Sequence, residues 1–90
     1  MADSEQITVT VTRLKAFVMS KTPATLVLDG VEIGKLKNGE SMTFNTTKGS
    51  HEFVAKAVSA ISGDKVMDLQ DGDTIEIKMN VVGWEVNVKR

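Results

Sequence analysis

Apolar and polar residues alternate along much of this chain with a period of two, which is typical of β-strands buried on one face. The segment ITVTVTR, residues 7–13, shows this pattern most clearly. Its apolar side chains are Ile7, Val9 and Val11, and its hydroxyl side chains are Thr8, Thr10 and Thr12. We therefore predict a strand that packs its apolar face into a core and exposes a row of threonines.

Two dipeptides that favour tight turns, Asp29-Gly30 and Asn38-Gly39, separate the next apolar segments. Suppose that both are two-residue hairpin loops. The first turn then pairs Leu28 with Val31 and Leu26 with Ile33. The second turn pairs Lys37 with Glu40, Lys35 with Met42, and Ile33 with Phe44. The two hairpins would then share one buried face, formed by Leu26, Leu28, Val31, Ile33, Met42 and Phe44. Leu36 is out of phase with that face, so we expect a bulge near Gly34.

The segment LKAFVMSKTP, residues 14–23, interrupts the strand pattern. Leu14, Phe17 and Val18 have helix-like spacing, but Pro23 follows too soon for more than a turn or two of helix. We predict a packed loop here that contains at most a single helical turn.

The second half of the chain returns to alternation. The residues that share a face are Phe53, Ala55 and Ala57 in HEFVAKAV, Ile75, Ile77 and Met79 in DTIEIKM, and Trp84, Val86 and Val88 in WEVNVK. A three-residue loop at residues 70–72, with Gly72 in the left-handed conformation, would pair Met67 with Ile75 in adjacent strands. A loop of two or four residues, around residues 80–83, would lead into the last strand.

These patterns predict an all-β fold with about seven or eight short strands, spaced about 8–12 residues apart. Because no long helix is predicted, each sheet must be covered by another sheet. We expect an antiparallel two-sheet β-sandwich, and a small antiparallel β-barrel is the alternative. The 90 residues are enough for a single domain. We assign it to residues 7–90, after a flexible tail at residues 1–6.

The charge balance argues against nucleic acid as a partner. The net charge is −1, from 11 basic and 12 acidic residues, and the chain has no tyrosine and one tryptophan. A nucleic-acid site needs a positive face with stacking aromatic rings, so we do not expect one. The densest basic stretch holds Arg13, Lys15 and Lys21 around Phe17. We interpret it as a solvated strand end and loop.

Composition also bears on the compartment. The chain has no cysteine, so neither a disulfide nor a thiolate ligand is expected. Its first residues, MADSEQ, are polar and acidic, unlike a secretory signal, and no apolar run reaches the ~20 residues that span a bilayer. We expect a soluble, cytoplasmic protein that does not insert into membranes.

His51 is the only histidine and the first candidate for chemistry. A catalytic base needs a positioned partner and a nucleophile, and Ser50 and Ser62 are candidates only by residue type. His51 shares the parity of Phe53, so we expect it at the mouth of the core, hydrogen-bonded to a neighbouring turn.

Two further motifs fail as ligand sites. DLQDGD resembles a calcium loop, but Met67 and Leu69 occupy positions that need oxygen ligands, so Asp71 and Asp73 are expected to stabilise the turn instead. The seven glycines form neither of the phosphate-binding patterns. We therefore expect no catalytic, cofactor-binding or metal-ligating residues and no cofactor.

The order SKTPATLVLDGVEIG, then NGE and KGSHEF, resembles the PEGA-type family of small β-sandwich modules. The residues that match the family's motifs are Pro23, Asp29, Gly30, Gly34, Gly49 and His51, and DGDTIEIKM is similar to its closing strand. The likeness covers residues 20–79, although Lys35-Leu36 replaces a Thr-Pro that is frequent in the family. It implies an immunoglobulin- or prealbumin-like sandwich that serves as a non-enzymatic accessory module, attached to other domains or to the cell envelope.

The sequence thus favours a non-catalytic interaction module with an unknown partner, a protein or a component of the cell envelope. Its contact surface would be the threonine row or an unpaired edge strand. The alternative is a module that binds a small molecule or carbohydrate through its end loops, with Trp84 as the one indole available to stack on a sugar.

Overall fold

The computed structural model describes residues 6–17, 21–57, 60–61, 65–80 and 83–89, and these ranges contain strands and no helix. The strands are β1 (Gln6–Arg13), β2 (Ala24–Leu28), β3 (Val31–Leu36), β4 (Ser41–Thr47), β5 (Gly49–Ala57), β6 (Ala60–Ile61), β7 (Lys65–Leu69), β8 (Thr74–Asn80) and β9 (Gly83–Lys89). The tail predicted at residues 1–6 lies outside the described residues except for Gln6, which begins β1.

The strands form two sheets. Sheet A has the order β4-β1-β8-β9, and sheet B has the order β3-β2-β5, with β6 and β7 both paired to the far side of β5. The sheets do not close on each other, so the two-sheet sandwich is confirmed and the barrel alternative is wrong. Pairing is antiparallel except between β1 and β8, which are parallel, a feature that the alternation did not predict.

The core lies between the inner faces of the two sheets. Sheet A contributes the apolar sides of β1, β8 and β9, and sheet B contributes those of β2, β5 and β7. The fully or almost fully buried side chains include Ile7, Val9, Val11, Leu26, Phe53, Ala55, Leu69, Ile75 and Ile77. The period-two prediction for these strands is therefore confirmed.

The Asp29-Gly30 turn is the predicted hairpin, between β2 and β3. Both residues have positive φ, +52° and +82°, as a type I′ turn requires, and Leu28 pairs with Val31. The expected bulge is present, because the register shifts from Leu28–Val31 and Val27–Glu32 to Leu26–Gly34, leaving Ile33 as the extra residue. This shift returns Leu36 to the buried face. Val31 was expected to be buried, but it is 64% exposed at the sheet edge.

The second predicted hairpin is wrong. Asn38-Gly39 does form a turn, with the Glu40 N–H donating to the Lys37 carbonyl at 2.9 Å, but β3 belongs to sheet B and β4 to sheet A. Only Gly39 has a positive φ, +81°, as in a type II turn, which splays the flanking strands instead of matching their twist. The chain therefore crosses between the sheets here.

The third turn behaves in the same way. Gly72 has the predicted positive φ, +87°, and the Asp73 N–H donates to the Gln70 carbonyl at 3.1 Å. However, β7 pairs with β5 and β8 pairs with β1, so the predicted pairing of Met67 with Ile75 is wrong. The last hairpin is simpler, because Asn80 pairs with Gly83 and the loop between them has two residues.

In its described residues, 14–17 and 21–23, the connection after β1 is not the packed loop that was expected. Residues 14–17 form no helical turn, and Phe17 is fully exposed; Val18 lies outside the described residues. The connection is tied to the Asn38-Gly39 turn, since the Ala16 N–H donates to Asn38 Oδ1 at 3.0 Å. The aliphatic stem of Lys15 lies over Gly39, where a Cβ would be 3.1 Å away.

Candidate functional site

His51 lies on β5, close to the point where the chain crosses from sheet A to sheet B. Its side chain follows the inward parity of Phe53, and it pairs across the sheet with Met67 of β7. The residue is only 7% exposed. Ser50 is exposed, and adjacent residues of a strand point to opposite faces, so it cannot serve as the partner of this histidine. The other candidate, Ser62, lies outside the described residues.

Both ring nitrogens of His51 contact oxygen acceptors. Nδ1 is 2.6 Å from Oδ2 of Asp29, and Nε2 is 2.6 Å from the backbone carbonyl oxygen of Thr47. A carbonyl oxygen and a carboxylate can only accept, so both nitrogens must carry protons to satisfy this geometry. His51 is therefore an imidazolium ion that donates one hydrogen bond to Asp29, in the turn between β2 and β3, and another to Thr47, at the end of β4.

Asp29 is positioned by the turn in which it lies. Its backbone N–H donates to the Glu52 carbonyl at 2.8 Å, and its Oδ1 accepts the Glu52 N–H at 2.9 Å. This leaves Oδ2 directed at His51. The Glu52 hydrogen bond and then the His51 hydrogen bond lower the pKa of the Asp29 carboxyl. The predicted contact between His51 and a neighbouring turn is thus confirmed.

The charge on His51 is favoured despite its burial. Burial of the ring alone would lower its pKa, but the hydrogen bonds to Asp29 and Thr47 outweigh this and raise the pKa of His51 above its ordinary value of 6.5. A general base needs a free lone pair directed at a proton donor. His51 has none in this geometry.

Asp29, His51 and Thr47 have the order of side chains found in a catalytic triad, since the Thr47 hydroxyl is also near the ring. Its Oγ1 is 3.4 Å from Nε2, however, whereas the Thr47 carbonyl oxygen is 2.6 Å away. The Nε2 proton therefore points to the carbonyl, and the hydroxyl is not activated.

Arg13 is a second buried cation, which the sequence interpretation placed in solvent. It is 1% exposed, and its Nη1 donates to the carbonyl oxygens of Thr22 at 2.6 Å and Leu36 at 2.9 Å. Its guanidinium group lies 5.1 Å from the centre of the Trp84 ring, which is cation–π distance. Burial lowers the pKa of Arg13, although an arginine side chain stays charged at any ordinary pH.

Of the two aspartates predicted to stabilise the DLQDGD turn, Asp73 does so, whereas Asp71 binds the backbone of another strand. Asp73 Oδ2 accepts the Gln70 N–H at 2.8 Å within the turn. Asp71 Oδ1 reaches farther and accepts the Thr8 N–H of β1 at 2.9 Å. Among the described residues, no group of three or more metal-ligating side chains is placed to hold an ion.

The outer face of sheet A carries a patch of uncharged polar side chains, which we call the threonine face. It consists of Thr8, Thr10 and Thr12 of β1, Ser41, Thr43 and Asn45 of β4, and Thr74 of β8. Thr10 lies opposite both Thr43 and Thr74, in the centre. Two cross-strand hydrogen bonds of 3.0 Å join Thr8 to Asn45 and Thr12 to Ser41. The predicted threonine row is thus on the solvent side of the sandwich.

No protein-family model, curated protein or solved structure matches this chain. The resemblance to PEGA-type modules therefore stays a prediction. In the described ranges, no helix could cross a bilayer.

Proposed function

We propose that this protein is a non-catalytic β-sandwich interaction module that binds its partner through the threonine face. The observation that carries the proposal is the composition of that patch, because its seven adjacent side chains offer hydroxyl or amide groups and none of the seven is charged, although Glu76 borders it opposite Thr12. Such a surface forms hydrogen bonds with a polar partner without first separating a buried ion pair.

The geometry around His51 supports the non-catalytic part of the proposal. The sole histidine is bound at both nitrogens within the scaffold. Arg13, the other buried cation, also binds backbone carbonyl groups. These groups stabilise the sandwich, and the resemblance to accessory PEGA-type modules is in keeping with that role.

A matched pair of variants tests the proposed surface. Thr10→Lys places a charged side chain in the centre of the threonine face, and Thr25→Lys makes the same substitution on the outer face of sheet B; both threonines are half-buried strand residues. Thr25 lies between Lys35 and Lys56, so Thr25→Lys is used only if thermal unfolding shows that it keeps the fold. We expect immobilised wild-type protein and the Thr25→Lys variant to capture the same partner, and the Thr10→Lys variant to lose it.

Two results would contradict the proposal. One is capture that Thr10→Lys leaves unchanged, since the partner would then bind elsewhere. The other is turnover by the purified wild-type protein in a broad hydrolase and transferase screen. Thermal unfolding of each variant controls for loss of the fold.

The carbohydrate-binding alternative has lost the residue on which it depended. Trp84 is 9% exposed and its ring packs over Arg13, so it cannot stack on a sugar. We expect blue-shifted tryptophan fluorescence that a panel of saccharides leaves unchanged. A saccharide-dependent shift would restore the alternative.

A further inference from the structure

We propose that two copies of this chain associate by antiparallel pairing of their β4 strands, with Phe44 of each copy opposite Phe44 of the other. β4 lies at the edge of sheet A, so one side of its backbone has no strand partner among the described residues. An unpaired edge strand can accept a further strand from another chain.

The ladder between β1 and β4 shows which backbone groups are open. The Arg13 N–H donates to the Glu40 carbonyl at 2.8 Å, and hydrogen-bonded and non-bonded pairs alternate along an antiparallel ladder. The pairs Val11–Met42 and Val9–Phe44 are therefore bonded. It follows that Ser41, Thr43, Asn45 and Thr47 direct their N–H and C=O groups away from β1. The Thr47 carbonyl confirms this direction, but it already accepts from His51 and is not available to a second copy.

β4 differs from the other edges in its lack of protection against strand addition. It contains seven residues without a charge, glycine, proline or register shift, and its sequence is SMTFNTT. In contrast, β3 carries a bulge and charged residues, and β7 carries Lys65 and Asp68. The β9 edge is capped, because Lys65 Nζ donates to the Val86 carbonyl at 2.9 Å. Charges, bulges and lysines are the usual means of blocking an edge.

The β4 edge is also self-complementary. A two-fold axis at Phe44 places Thr43 of one copy opposite Asn45 of the other, and both residues have outward backbone groups that can exchange hydrogen bonds. The two Phe44 side chains then form the close, non-bonded pair. Met42 and Phe44 are only partly buried in the single chain, so the second copy would cover apolar surface as well as backbone.

This inference goes beyond the proposed function. The threonine faces of the two copies stay exposed and become one continuous surface in the joined sheet. Failure of the pairing would leave the partner-capture experiment unaffected, and failure of that experiment would leave the pairing unaffected.

A charge-swap pair of double variants tests the register. T43K/N45K places two like-charged pairs across the two-fold axis, whereas T43K/N45E places two opposite-charged pairs there. The Thr8 hydroxyl donates to Asn45 in the wild type, and a glutamate at position 45 can still accept this hydrogen bond whereas a lysine cannot, so thermal unfolding of both variants is the control for the fold. We expect sedimentation equilibrium, from micromolar to millimolar chain, to show association of the wild type to twice the monomer mass. The dissociation constants of the two variants should differ by at least about tenfold, with T43K/N45E tighter.

Thr43→Pro is a second disruptor, should T43K/N45K fail to fold. It removes one outward N–H without removing a hydrogen bond to β1, and it should leave the chain monomeric. The proposal is overturned if the wild type stays monomeric at millimolar concentration. It is also overturned if the two double variants associate equally, because the copies would then meet through another surface.

Discussion

Two buried cations lie at opposite ends of β4, and only one of them can lose its charge at ordinary pH. At the beginning of the strand, Arg13 binds the carbonyl groups of Thr22 and Leu36. At its end, His51 binds the carbonyl group of Thr47 and the carboxylate of Asp29. Arg13 keeps its charge at every ordinary pH, whereas His51 can lose its proton.

The comparison shows how a thin sandwich can hold charged groups in its interior. Each cation binds backbone carbonyl oxygens close to a crossover between the sheets, so it joins sheet A to sheet B where the ladders end. The Arg13 end is fixed at any pH. The His51 end depends on protonation, so alkaline conditions should loosen it first.

The largest effect is expected from removing the permanent cation. Arg13→Met leaves the Thr22 and Leu36 carbonyl groups without their donor, and it should lower the free energy of unfolding by about 3–4 kcal/mol. Urea unfolding measures this loss. Lys35→Met, on the exposed side of β3, is the matched control and should change stability by less than about 0.5 kcal/mol. An Arg13→Met variant as stable as the control would contradict the role given to Arg13.

Removal of the titratable cation should cost less. His51→Leu keeps an apolar group of similar size but leaves the Thr47 carbonyl unpaired, so we expect a loss of about 1–3 kcal/mol at pH 6. Ser50→Ala, one residue away and exposed, should be neutral in the same urea titration. Equal stability of both variants would show that the His51 hydrogen bonds stabilise nothing.

Proton loss from His51 should have a smaller effect than its replacement, since the ring remains in place. Its pKa is raised in the folded protein, so its contribution is complete below pH 6.5 and is lost as pH rises through the raised pKa. Urea titrations at pH 6 and pH 8.5 should show lower stability at the higher pH for wild type and Arg13→Met. The His51→Leu variant should be equally stable at the two pH values. If it is still less stable at pH 8.5, another titratable group causes the difference.

The smallest effect is expected from Asp29→Asn. The asparagine oxygen can still accept the Glu52 N–H, and the Asp29 side chain is 51% exposed, so the loss should stay below about 1 kcal/mol. The sharper readout is the pKa of His51 followed by proton NMR. It should fall toward the ordinary value because the neutral amide stabilises the imidazolium less. An unchanged pKa would exclude Asp29 as the cause of the shift.

The strands could be predicted from the sequence, but of their pairings only the hairpins β2–β3 and β8–β9 could. Three turns have similar sequences, with aspartate or asparagine before glycine. Of these three, only Asp29-Gly30 has two residues at positive φ and forms a hairpin within one sheet. Asn38-Gly39 and Asp71-Gly72 have one such residue each, and they carry the chain between the sheets. Whether a turn forms a hairpin depends on which strands are available as partners. For β4 and β8 that partner is β1, which is more than 25 residues away along the chain.

The site was predictable in part. The parity that His51 shares with Phe53 indicated a place at the mouth of the core and a contact with a neighbouring turn, but it did not identify Asp29, and the acceptor at Thr47 depends on the crossover from β4 to β5. Arg13 was assigned to solvent because of its charge. The signal that could have placed it correctly was its phase, since it continues the inward series of Ile7, Val9 and Val11. An arginine in such a series needs carbonyl acceptors, and those come from Thr22 in the next connection and from Leu36 at the end of β3.

The central claim is that His51 is a bound imidazolium within the scaffold and not an available base. The ¹⁵N NMR shifts of its two ring nitrogens, recorded at pH 6.5, test this most directly. We predict that both nitrogens are predominantly protonated at this pH and that the ring titrates above it. A neutral ring with one unprotonated nitrogen and an ordinary or lowered pKa would contradict the claim.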